Sequence, residues 1–398
     1  MHVRPRKKID ASFRDLFTAF RFCLTPSRYP SLWMDLDQFS KLSDRSQATM
    51  GLNCLSARSA FDLLLTALKL PVGSEVLMTA ANIPDMFEIV RRHDLVPVTL
   101  DLDPVDFGIG KQELERKLSE KTELVLIAHL FGSRTDLTPI LRHPRRNDFV
   151  LVEDCAQLFI RDYYRRRTES DFQLFSLGPI KTATALGGGV LCYQKVGSQG
   201  KESITGDLLE IVNSYPVQSR FRYAKRVLKY VLIKCLTTRF IFPGFYRMLR
   251  DPDQTLGSLA RNFKDTDLLE QLRVRPCSPL VRMMKRRIVR FNAREMQTRR
   301  EVGNRLIRSV SKTHRIPGRA NPDHRYWVFP ITAKDRQGTI KCFREQGFDA
   351  TSMHSMDAPG DDSSQLQRLF ESILFVPLET DLREEELSKL VELIDATE

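Results

Sequence analysis

The sequence predicts an α/β protein with a mostly parallel central sheet, helices on both of its faces, and a smaller C-terminal α+β domain. Three observations lead there. Short apolar runs alternate with helical periodicities over residues 49–205. Those runs are continuous rather than alternating, as expected of strands covered on both faces. One of them, Phe149-Val150-Leu151-Val152, ends in Glu153-Asp154. That puts carboxylates at the carboxyl end of a buried strand, where open α/β sheets bind ligands.

In chain order, residues 1–48 read as an arm. Phe13, Leu16, Phe17, Phe20 and Leu24 recur at three- and four-residue spacing and form one helical face, expected to dock on the main body. Residues 49–205 form the large domain. The pattern predicts a helix over 59–68, a strand at 75–78, and a helix opened by Pro84. A strand at 96–100, a helix at 112–118 and a strand at 124–128 follow. Helices between strands imply right-handed crossovers. No G-x-G-x-x-G follows the first strand, which speaks against a dinucleotide site.

Residues 206–275 read as a basic, aromatic helical insertion. No acidic residue occurs from 215 to 250, and Phe221, Val227, Leu228, Val231 and Leu232 share a helical face. Such a helix suits an anionic membrane surface, or packs on a neighbouring subunit. Residues 276–398 form the small domain, with one long helix over 279–307, a strand over 326–331, helices over 338–346 and 383–394, and a short apolar run at 373–377.

Composition narrows the class. The 398 residues are 42% hydrophobic, enough for a large core. Seven cysteines without a C-x-x-C pair read as reduced thiols, not a disulfide frame or zinc site. Charged residues interrupt the first segment before any signal-like apolar core, and no apolar run is long enough to cross a bilayer. The expectation is a cytoplasmic protein, peripheral at most. A net charge of +12 favours an anionic partner. Without a recognition module, nucleic acid is not expected.

The chemistry concentrates between 149 and 189. After Asp154 comes Gln157, then a second strand ending at Ser176, a lone Lys181, and three glycines, Gly187 to Gly189. A lysine amine, a carboxylate and small phosphate donors are what pyridoxal phosphate (PLP) requires. The elements E-D-x-A-Q and F-S-x-x-x-x-K resemble the DegT/DnrJ/EryC1/StrS family of sugar aminotransferases, which have the fold-type I PLP-transferase architecture. The resemblance spans roughly residues 50–395 and is strongest over 154–189.

It implies PLP bound to Lys181, its ring nitrogen paired with Asp154, Gln157 near the ring, and its phosphate held by Ser176 and the helix start at Ala57, Arg58 and Ser59. It implies transfer of an amino group, with glutamate as donor, to a keto group on a sugar or related acceptor, by a homodimer; the basic insertion adds the expectation that the acceptor is lipid-linked. Tyr326 and His354 are the substrate-side candidates. Arg58 stands where the family has a small residue, Ile83 where it has a ring-stacking aromatic, and Gly187 where it has Glu. The family's N-x-R-M motif is not recognisable. The alternatives are another PLP reaction on the same scaffold, dehydration or elimination, and a non-catalytic membrane-associated relative.

Overall fold

The protein is described by a computed structural model, which covers residues 4–5, 8–36, 49–160, 170–194, 201–238, 241–242, 244, 267–292, 294–352 and 365–397. The arm forms α1 (Phe13–Leu24), started by a capping box in which Ser12 and Asp15 satisfy each other's backbone amides. Strands β1 (Trp33–Asp35) and β2 (Thr49–Cys54) lead into α2 (Ala57–Leu68). Then come β3 (Glu75–Thr79), α3 (Pro84–Arg92), β4 (Val96–Leu100), α4 (Lys111–Lys117), β5 (Thr122–Ala128) and the short α5 (Thr138–Leu141). Strands β6 (Val150–Asp154), β7 (Phe172–Ser176) and β8 (Gly189–Gln194) complete the sheet.

Its order is β1-β2-β8-β7-β6-β5-β3-β4. Strands β4, β3, β5, β6 and β7 run parallel, whereas β8, β2 and β1 each pair antiparallel to their neighbour. Phe61, Leu64 and Phe87 pack on one face of the sheet, and Phe107, Phe131 and Ile140 on the other. Each such side chain stabilises the fold by roughly 1.5–3 kcal/mol relative to exposure.

Past the sheet lie α6 (Lys201–Ser214), the basic helix α7 (Arg220–Leu236) and α8 (Leu268–Leu272). Next come α9 (Ser278–Arg290) and α10 (Arg294–Ser309), so the single helix expected over 279–307 is two. Phe291, extended at φ −63° and ψ 134°, caps α9 and turns the chain. The small domain pairs β9 (Phe329–Thr332) with β10 (Ile373–Val376), flanked by α11 (Arg336–Glu345), α12 (Gln365–Ser372) and α13 (Glu384–Ala396). Strand β9 starts three residues later than the pattern suggested, because Tyr326 takes a left-handed φ of 48° and breaks the extended run.

The arm docks as expected, but on half of its face. Leu16 and Ala19 are buried, whereas Phe13, Phe17 and Leu24 are 49%, 69% and 68% exposed. A buried ion pair fastens it: Arg287 of α9 donates to Asp15 at 2.7 Å and, through Nε, to the carbonyl of Thr184 at 3.1 Å.

Candidate active site

A cavity of about 930 Å³ opens at the carboxyl ends of β5, β6 and β7. Its walls are the start of α2, the loop after β3, the turn carrying Lys181, and α7. Asp154 ends β6 in register with Ala128 of β5 and Leu174 of β7, so the strand pairing itself fixes the carboxylate. Its Oδ1 accepts from the Ala156 amide at 2.9 Å. Burial pushes the Asp154 carboxyl up, and the Ala156 amide, Lys181 and His129 pull it back in part.

Lys181 lies in the turn between β7 and β8. Its amide donates to Gly178 at 3.0 Å, and the Thr184 hydroxyl donates to the carbonyl of Gly178 at 2.6 Å. The Ala183 amide donates to Asp10 of the arm at 2.9 Å. Ala183 and Leu186 sit at φ 54° and 63°, a strained conformation for residues with a Cβ, held by these bonds. Burial lowers the Lys181 ammonium to about 8, with Asp154 opposing and Arg58 adding to the shift. Its Nζ is 4.2 Å from the centroid of the Trp327 ring, whose Nε1 donates to the carbonyl of Ile180 at 3.0 Å.

Beside Gly188 and Gly189, Ser56 caps α2, its hydroxyl accepting from the Ser59 amide at 3.0 Å. Gly189 lets this turn approach the sheet, since a Cβ there would lie 2.3 Å from the Ser56 carbonyl carbon. The first amides of a helix have no intrahelical acceptor, so this end favours an anion. The Gln157 side-chain oxygen accepts from the Phe131 amide, which ties the wall beyond Asp154 to the loop after β5. On the cavity wall, His129 pairs with Glu153 at 2.8 Å and accepts from the Thr135 amide at 3.1 Å. Both ring nitrogens are thus engaged, and Cys155 lies close by.

Ala57, Arg58, Ile83, Asp154, Gln157, Ser176 and Lys181 therefore line one cavity. Two expected residues do not. The helix begins at Ala57, two residues earlier than the pattern suggested, so Ser59 turns back onto the cap and Ser56 takes its place on the wall. Tyr326 packs away from the cavity, stacked on His324 at 4.2 Å, with its hydroxyl donating to Asn304 at 2.6 Å. Its neighbour Trp327 faces the cavity instead. His354 lies outside the described residues. Sequence reasoning missed Trp327, Asn82, Gln218, and Arg222, Lys225, Arg226 and Lys229 of α7. The i, i+3, i+4, i+7 spacing of those four cations was visible in the sequence and marks a single helix face.

The fold is that of the fold-type I PLP-transferases. The structure superposes on Spr1654 of Streptococcus pneumoniae, solved in its PLP form, with a TM-score of 0.68 at 14% identity, covering 99% of this chain and 98% of that one. Residues 36–196 match the model of the DegT/DnrJ/EryC1/StrS aminotransferase family. A pleiotropic regulatory protein of Geobacillus stearothermophilus is 32% identical over 112 residues, 28% of this chain and 30% of that protein. The GDP-perosamine synthase of Caulobacter vibrioides is 25% identical over 187 residues, 46% of this chain and 50% of that protein. The chain thus spans at most about half the length of these curated relatives.

Proposed function

We propose that the protein is a PLP-dependent aminotransferase that moves an amino group from an amino acid, glutamate in the first instance, to a keto group on a sugar or related acceptor. The observation that carries this is the meeting of Lys181, Asp154 and the α2 N-terminus in one cavity. The residues fit the cofactor. Asn82, 4% exposed and on the wall, has a side-chain amide nitrogen with no partner among the described residues. The α2 cap offers amides to a phosphate, with Ser56, Arg58 and Ser176 beside it.

When bound, PLP supplies an electron sink that carries the amino group between the two substrates. Asp154 would hold the proton on the ring nitrogen, a cation that also answers a carboxylate otherwise pushed up by burial. Lys181, lowered to about 8, exchanges its proton near neutral pH and would move it at the carbon gaining or losing the amine. Gln157 and Ile83 would bound the ring, and Trp327 would cover the lysine and exclude water. The large domain over 49–205 would hold Asp154, Lys181, Gln157 and Ile83, and the small domain over 276–398 would supply Trp327 and close the acceptor side. We also infer a homodimer, and a basic helix that lies on an anionic membrane surface.

Borohydride reduction in the presence of PLP should fix the cofactor to Lys181, read by peptide mass. Lys181→Ala should take up none and lose amine transfer by about 100-fold or more, the low end of a proton-transfer contribution. An adduct on another side chain, or full turnover in the variant, would overturn the assignment.

A further inference from the structure

Trp327 is carried to Lys181 by contacts along its own segment. The Arg134 amide donates to the carbonyl of Asp323 at 3.1 Å, and the Arg325 amide donates to the carbonyl of Gly132 at 2.7 Å. The segment is thereby laid along the loop that follows β5. Gly132 permits the close approach, since a Cβ there would lie 2.5 Å from the Trp327 amide nitrogen. Tyr326 then takes its left-handed φ of 48° and bonds to Asn304, and the next side chain faces the cavity.

The indole is fixed by its edge and used by its face. Its Nε1 donates to the carbonyl of Ile180 at 3.0 Å, so the residue joined to Lys181 in sequence is tied to the ring. Lys181 Nζ lies over the ring, 4.2 Å from its centroid. Trp327 is 4% exposed, so the contact is made away from bulk water. An aromatic face is the negative end of a quadrupole and attracts an ammonium, most strongly where water is excluded. A neutral amine gains far less, because the attraction is to the charge.

The charged groups around the amine come from several elements. Asp154 of β6 favours the ammonium, Arg58 of α2 opposes it, and Asp85 of α3 pairs with Arg58. The cations of α7 line the same cavity, and His129, just past β5, is bonded to Glu153. Burial acts against the charged lysine. The aromatic face joins Asp154 in opposing that effect.

We propose that Trp327 is a positioning residue for Lys181, receiving the amine on its ring face whenever the lysine is not joined to the cofactor. This rests on the aminotransferase function above. A lysine released from PLP must stay within reach of the reacting carbon to move a proton there. The ring gives its flexible side chain one place to wait, and the Ile180 bond keeps that place in register with the lysine turn. A cover that only kept water away would hold the ammonium down, so the two roles differ in sign.

The test is run on the full chain without cofactor. The pH midpoint of Lys181 acylation is read from the mass of the peptide that contains it. The chain has two tryptophans, Trp33 and Trp327, so Trp33→Phe leaves Trp327 alone to be replaced by fluorinated tryptophans. Fluorine draws electron density from the ring face while keeping its shape and its Nε1 donor. The midpoint should fall with each added fluorine, by roughly one pH unit in all. A midpoint indifferent to fluorine would overturn the proposal. Two substitutions give an independent reading. Trp327→Phe keeps a ring face and Trp327→Leu keeps apolar bulk without one, so the first should titrate above the second. Equal midpoints, or a higher one in Trp327→Leu, would mean that the residue only shields the lysine, and would overturn the proposal too. PLP uptake, followed by absorbance, keeps this apart from the aminotransferase function. A chain that shows the fluorine series but takes up no PLP would sink that function and keep the pairing of ring and amine. A chain that takes up PLP with a flat series would sink the proposal alone.

Discussion

At the scale of the residue, the site is organised by one electrostatic relation, between an amine that burial discharges and a carboxylate that burial also discharges. Each favours the charged form of the other. Removing the negative partner in Asp154→Asn should therefore move Lys181 below its value of about 8. The pH midpoint of lysine acylation, followed by mass spectrometry of the peptide containing 181, should fall accordingly. An upward shift would mean that Asp154 does not act on the amine. The linkage sign agrees. A lysine lowered from 10.5 to about 8 binds fewer protons folded than unfolded between those values, so its penalty on stability is present below about pH 8 and disappears as pH rises toward 10.5. Lys181, Asp154, Gln157 and Ser176 were legible because they sit in one contiguous stretch. Trp327 was not, because the contact that brings it to Lys181 is made in space between two domains distant in sequence. Ser59 and Tyr326 were misplaced by a helix that starts two residues early and by one left-handed φ.

Elements are fixed relative to one another by a few buried polar clasps. Arg287 reaches Asp15, the carbonyl of Thr184 and the carbonyl of Asp10, so arm, lysine turn and α9 share one guanidinium. Arg287→Ala leaves the Asp15 carboxylate buried without that partner. It should cost about 3–5 kcal/mol, as loss of one member of a buried pair does. Urea unfolding should show a lower midpoint, with Arg287→Lys recovering part of the loss. A midpoint unchanged in Arg287→Ala would show that the clasp contributes nothing. The pattern of apolar runs revealed β3 to β7, and most of these are buried along nearly their whole length. It did not reveal β1 and β2, which belong to the antiparallel edge and include polar Asn53 and Asp35. Nor did it reveal the break between α9 and α10, since the amphipathic pattern continues across it.

For the whole molecule, the excess of twelve positive charges has a direction. On α7 Arg222, Lys225, Arg226 and Lys229 line the cavity, and apolar Phe221, Leu228 and Leu232 are exposed to solvent. Among the described residues no helix is long and apolar enough to cross a membrane. Vesicles rich in phosphatidylglycerol should bind the protein at low salt, with about 1 kcal/mol per basic residue near the surface. That binding should weaken as the screening length shrinks to about 3 Å in roughly 1 M salt. Sedimentation at low and high salt would show it. Binding indifferent to salt would mean that charge is not what holds the protein there. Sequence alone disclosed the basic helix but not which way it faces, because the rotation of a helix is set by what it packs on. One further connection belongs to this scale. Arg4 grips Glu386 of α13 at 2.6 Å, and a few residues on Asp10 holds the amide of Ala183. The C-terminal helix and the turn bearing Lys181 are thus tied to the same arm, so a displacement of α13 would be handed on to Lys181 through the first residues of the chain.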